Sequence, residues 1–172
     1  QLAPPGIAAV ILEMLSLDYS DMLAAGAGSS VEAAKERTIA AGGYLLIYEG
    51  AVTQAFEGHS LRVADAPGID HLDGAARRAE AVIALGSCAV NGGWMVAPPN
   101  AARAVGVQEY LAARGIGVPV VNIPGCPANP EWLLSVLVRL AMLGGLSATA
   151  LDAQGKPRNL FGDTVHDNCA RR

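Results

Sequence analysis

Four side chains in this 172-residue chain pair metal-ligand chemistry with turn-rich surroundings: Cys88, Cys126, His166 and Cys169. Cys126 lies within Asn122-Ile-Pro-Gly-Cys-Pro-Ala-Asn-Pro-Glu-Trp132, between an apolar strand (Val118 to Ile123) and an apolar helix (Pro130 to Leu143). Three prolines and a glycine fix the backbone where the strand must turn into the helix. A cysteine at the carboxyl end of a strand, on a rigid loop, is placed to hold something at the sheet edge. Cys88 repeats the arrangement in Gly86-Ser-Cys-Ala-Val-Asn-Gly-Gly93. Glycines there allow unusual backbone angles and close approach. Backbone N–H groups in such a turn can donate to an anionic sulfur. The same motif also suits a buried cysteine in a tight turn. The third constellation is Thr164-Val-His-Asp-Asn-Cys-Ala-Arg-Arg172. Its His-x-x-Cys spacing can bring an imidazole and a thiol to one side of a turn. Asp167 and Arg171 are candidates to support those ligands from behind.

Three cysteines far apart in sequence do not make a disulfide framework. Metal ligation and inert burial are the two readings. Two thiols do not complete an iron–sulfur cubane, which takes four. The formal net charge of −4 and the lack of a basic stripe argue against nucleic acid. Hydrophobic residues make up 52% and charged residues 16%. Such an apolar surface fits a chain partly covered by a partner. The longest apolar stretch, Trp132 to Leu151, carries Arg139 and is broken at Gly144-Gly145. A membrane span wants about 20 apolar residues without a central charge. The stretch therefore reads as a helix against the core or a partner.

The elements that must position these residues alternate between strand and helix. Leu2 to Asp18 reads as a helix begun at Pro4-Pro5-Gly6. Ser29 to Ala41 reads as a second, capped by Ser29 or Ser30 and ended by Gly42-Gly43. Tyr44 to Glu49, Ala81 to Leu85 and Val118 to Ile123 read as buried strands. Gln54 to His71 reads as polar and irregular, with His59 and His71 solvated. Helices are expected over Leu72 to Arg78, within Ala101 to Gly115 and over Pro130 to Leu143, and a short strand over Leu160 to Val165. Continuous apolar strands between helices predict an α/β fold: a flavodoxin-like, doubly wound parallel sheet with helices on both faces. Glu49, Cys88 and Cys126 each follow a strand end, so they are expected at one rim of the sheet. Trp94 and Trp132 flank the two cysteine loops and read as packing or shielding groups. Residues 1–150 are expected to form the main domain, and the less apolar residues 151–172 to begin a second region.

Several segments, in order, resemble the small, electron-transferring subunit of nickel–iron hydrogenases. They are Leu15-Ser-Leu-Asp-Tyr19, Tyr44-Leu-Leu-Ile-Tyr-Glu-Gly50, Gly86-Ser-Cys-Ala with Gly92-Gly93, Asn122 to Trp132, and Thr164 to Arg172. Ala97-Pro-Pro-Asn100 and Ala104-Val-Gly-Val107 are similar too. The resemblance implies that Cys88 and Cys126 are two ligands of a proximal 4Fe-4S cluster. It implies that His166 and Cys169 are two ligands of a distal 4Fe-4S cluster, the electron exit. Glu49 matches a glutamate near the subunit interface, where a carboxylate can relay protons; a capping or interface carboxylate is the simpler role. The implied partners are the nickel–iron large subunit and an acceptor such as a cytochrome or quinone-linked carrier. The implied location is a periplasmic or membrane-associated complex.

The resemblance also implies ligands outside this sequence. A Cys-x-x-Cys pair is expected immediately before Gln1, and further cluster cysteines after Arg172, which makes this an internal stretch of a longer subunit. The family's proline after the Glu-Gly pair is replaced near Thr53. Two other readings compete. The cluster-bearing subunit of respiratory NADH dehydrogenase shares the strand-end cysteine and the Gly-Cys-Pro loop, but lacks a counterpart of the His166 to Cys169 tail. A metal-free flavodoxin-like binding module would need a phosphate or flavin loop, and no glycine-rich phosphate loop follows the first visible strand.

Overall fold

The computed structural model describes residues 9, 13, 15–143, 150–167 and 169–171. In chain order the elements are α1 (Ser29–Ala41), β1 (Leu45–Glu49), β2 (Val52–Thr53), β3 (Arg62–Val63), β4 (Ala66–Pro67), α2 (Gly68–Ala76), β5 (Ala81–Leu85), α3 (Ser87–Asn91), β6 (Ala104–Val105), α4 (Val107–Ala113), β7 (Val120–Ile123), α5 (Pro130–Leu143) and α6 (Arg158–Phe161). Short 3₁₀ turns follow β2 and α3. Among the described residues the main sheet has three parallel strands in the order β1-β5-β7.

Period-two alternation along the strands divides the core into two layers. Val82 and Ala84 of β5 face Leu72 and Ala76 of α2 and Val107, Tyr110 and Leu111 of α4. Ile83 of β5 and Val121 and Ile123 of β7 face Val136, Leu137 and Leu140 of α5. Helices therefore cover both faces of a parallel sheet, as the apolar strand runs predict. Each fully buried branched side chain contributes about 1.5–3 kcal/mol relative to exposure.

Register places the site. Glu49 pairs with Leu85, and Leu85 with Ile123, so the three strands end in one row. Residues 86–88 and 124–126 continue from that row, which brings Glu49 and both cysteine loops to one rim.

Several local expectations are corrected. The helix expected over Leu2 to Asp18 falls largely outside the described residues; positions 9 and 13 are helical and 15–20 are not. The N-cap of α1 is Gly28, with no side-chain cap, and Ser30 Oγ donates to Ala27 O instead. β1 is only half-buried, with Ile47 42% exposed, because no strand covers its outer edge among the described residues. The Gln54 to His71 stretch is not irregular: it holds the β3–β4 hairpin, and α2 already begins at Gly68. Leu160 to Val165 is no strand. Pro157 holds φ −60°, its carbonyl accepts the N–H groups of Leu160 and Phe161, and a short helix forms.

The segment from Leu151 onward packs back on the sheet. Gly155 O accepts the Asn122 N–H at 2.9 Å, and Leu151, Leu160 and Phe161 join the α5-side core. Trp132 meets Phe161 edge to face at 4.9 Å.

Candidate metal centre at the carboxyl rim of the sheet

Cys88 lies in the first turn of α3, directly after β5, and is half-buried. Gly86, at φ +89°, reverses the chain out of the strand. Gly92, at φ +81°, ends the short helix, and Gly93 then lies against the thiol. A β-carbon on Gly93 would stand 2.7 Å from Sγ of Cys88, so only glycine leaves room for the sulfur in this pose. Cys126 is exposed, at the apex of the turn after β7.

The two loops are tied to each other. Gly86 N–H donates to Ile123 O at 2.8 Å, and Ser87 N–H donates to Gly125 O at 2.8 Å. Gly125 N–H in turn donates to Ser87 Oγ at 3.1 Å. The residues bound across the gap, Ser87 and Gly125, are those immediately before the two cysteines. Glu49 is exposed in the same strand-end row. The rim expected from the strand ends is thus formed, and it brings together Glu49 and the loops of Cys88 and Cys126.

His166 and Cys169 share one exposed turn, in which Cys169 N–H donates to His166 O at 3.2 Å. Asp167 holds this turn, accepting from Thr164 N–H at 2.9 Å and from Thr164 Oγ1 at 2.7 Å. No group of three or more His, Cys, Asp or Glu side chains that could hold a metal ion occurs among the described residues. Neither pair therefore makes a complete site from these residues alone.

The donor chemistry fits an iron–sulfur group: soft thiols at the rim, one seated against a glycine with no room for a side chain. Sequence reading missed Ser87, whose only signal is a serine at a helix start directly before a strand-end cysteine. It also misjudged His71. That ring is not solvated but held between the Lys35 ammonium, 3.2 Å from Nδ1, and Val63 O, 2.9 Å from Nε2. Trp132 packs as expected, whereas Trp94 is 85% exposed and is not packed as expected among the described residues.

A doubly wound α/β scaffold with thiol-bearing loops at its carboxyl rim defines the class of protein. Residues 3–140 match the family described as NADH ubiquinone oxidoreductase, 20 Kd subunit, and the chain belongs to that family. It is 38% identical over 168 residues to the periplasmic [NiFe] hydrogenase small subunit of Solidesulfovibrio fructosivorans, covering 97% of this chain and 51% of that protein. It is 38% identical to the uptake hydrogenase small subunit of Azotobacter vinelandii, covering 99% of this chain and 46% of that protein. The solved [NiFeSe] hydrogenase of Desulfovibrio vulgaris Hildenborough matches with TM-score 0.87 at 31% identity, over 95% of this chain and 64% of that one. The chain thus spans about half the length of these curated relatives.

Proposed function

We propose that this chain is the electron-relaying part of a nickel–iron hydrogenase small subunit, in a complex that splits or makes H₂. The observation that carries the reading is the hydrogen-bonded pair of strand-end loops that sets Cys88 and Cys126 at one rim. The likeness to hydrogenase small subunits along almost the whole chain supports it. Cys88 and Cys126 would hold a proximal iron–sulfur cluster facing a nickel–iron large subunit. His166 and Cys169 would hold a distal one, in a second region begun by residues 151–172. The other ligands of each cluster would have to come from outside these four residues. When bound, such a group supplies one-electron storage at a potential set by its ligands, hydrogen bonds and burial. This chain's part is to present thiolates, exclude side chains from the Cys88 pocket and fix the loops. The outside acceptor would be a cytochrome or quinone-linked carrier, in a periplasmic or membrane-associated complex. No helix among the described residues is long and apolar enough to cross a membrane.

The family description favours one alternative, a subunit of respiratory NADH dehydrogenase. The His166 to Cys169 turn argues for the hydrogenase reading, since its imidazole and thiol would serve as a second ligand pair. In the assembled complex, Cys126→Ala is expected to abolish H₂-dependent dye reduction and lower the iron content. Full activity with iron retained overturns the ligand role.

A further inference from the structure

We propose that Ser87 is a positioning residue that sets the separation of the two rim thiols; the inference rests on the reading of Cys88 and Cys126 as ligands. The cap position of α3 is Gly86, which has no side chain, and Ser87 is the first helical residue after it. Its Oγ accepts the N–H of Gly125, 38 residues away in sequence, at 3.1 Å. Its own N–H, a donor that a helix start leaves without an intrahelical partner, donates to Gly125 O at 2.8 Å. Both polar groups of one peptide-flanking residue are thus fixed by one side chain and its backbone.

Each bond lies one residue from a thiol: Ser87 precedes Cys88, and Gly125 precedes Cys126. The Gly86 to Ile123 bond at 2.8 Å extends the sheet by one step, but it lies before the point where the chains diverge. Beyond that point Ser87 Oγ is the only side-chain atom shown to bridge the two loops among the described residues. Gly125 cannot supply the restraint itself. It sits at φ +139°, and a β-carbon there would meet Ala128 Cα at 2.8 Å and Pro127 O at 2.9 Å. Without the serine oxygen, the Gly125 N–H loses its partner and the Cys126 turn is held by the backbone bonds alone.

The test uses the full-length subunit in its assembled complex and compares Ser87→Ala, Ser87→Val and Ser87→Thr with the parent and with Cys126→Ala. The readouts are the rate of iron loss to a chelator, the electron paramagnetic resonance spectrum of the reduced proximal centre, and the melting temperature. Ser87→Val and Ser87→Thr have nearly the same shape and differ in the hydroxyl, so general packing damage affects both alike. Ser87→Ala and Ser87→Val are expected to lose iron about tenfold faster, the ratio set by one hydrogen bond of ordinary net strength. Their spectra are expected to change, while Ser87→Thr matches the parent in both. Equal behaviour of the valine and threonine variants, or an alanine variant indistinguishable from the parent, overturns the inference. Iron and spectrum unchanged in Cys126→Ala would instead overturn the ligand reading beneath it.

Discussion

Gly93 lies so close to Cys88 that a β-carbon added to it would stand 2.7 Å from the sulfur and 3.3 Å from the cysteine Cα. The first contact can be relieved only by turning the thiol away, and the second asks the backbone to give by a few tenths of an ångström. Gly93 also holds φ +62°, which costs a residue with a side chain about 1–2 kcal/mol. Gly93→Ala should therefore push the thiol out of its seat. The expected result is a melting temperature lower by about 2–8 °C, from roughly 1–2 kcal/mol at this chain length, together with a loss of iron from the cluster proposed at Cys88. Parent-like iron content in the alanine variant would show that the glycine is not needed to seat the thiol.

The rim itself was legible in the sequence, and for a physical reason. Ala81–Leu85 and Pro130–Leu143 have the bounds expected from their apolar runs, because Gly86 and Pro130 punctuate them unambiguously. Once the strands are parallel, Glu49, Cys88 and Cys126 must share a sheet end. What could not be read was the pairing of side chains across the loops. Locally Ser87 is only a serine at a helix start, and the three-dimensional approach of Gly125 alone shows where its oxygen goes. The exposed outer face of β1 was illegible for a related cause. Leu45 to Glu49 is as apolar as a central strand, but burial depends on its neighbours, and none lies beyond it among the described residues. The strand expected over Leu160 to Val165 is absent because the segment is short and broken by Gly162 and Asp163, so it carries no period that separates strand from helix.

Asn122 joins β7 to the segment that follows α5. It is 2% exposed; its Nδ2 donates to Gln154 O at 2.6 Å and to Gln108 Oε1, and its N–H donates to Gly155 O at 2.9 Å. Its side chain thus faces two acceptors. Asn122→Ala leaves Gln154 O without this donor, at a cost of about 1–3 kcal/mol. Asn122→Asp should be worse at neutral pH, because a carboxylate would face those acceptors and resist ionising in the folded state. Its folded pKa would be raised, so the deficit grows as pH rises above about 4, the ordinary carboxylate value. Urea denaturation at pH 5 and pH 8 checks this. Asp and Ala variants equally stable at pH 8 would remove Nδ2 from its assigned role.

Tyr110 gives the fold a sensitivity to alkali. The residue is 2% exposed between α4 and the sheet. Burial, and after it the neighbouring Asp73 carboxylate, push its pKa from 10.0 up to about 12. Asp73 is held in place by Arg114, whose Nε and Nη2 reach Oδ2 at 3.0 and 2.7 Å. In the unfolded chain the phenol ionises near 10, whereas in the folded chain it stays protonated. Its contribution is therefore fully present below pH 10 and is lost as pH rises from 10 through about 12. Burial raises Tyr44 and Tyr48 as well, so they add to the same fall. The Tyr110 hydroxyl lies beside Asp73 without a hydrogen bond of good geometry among the described residues, so removing it should cost little at pH 7. Tyr110→Phe is then expected to match the parent in urea at pH 7 and to lose stability less steeply above pH 10. Parallel stability curves for parent and phenylalanine variant across that alkaline range would assign the fall to the other tyrosines.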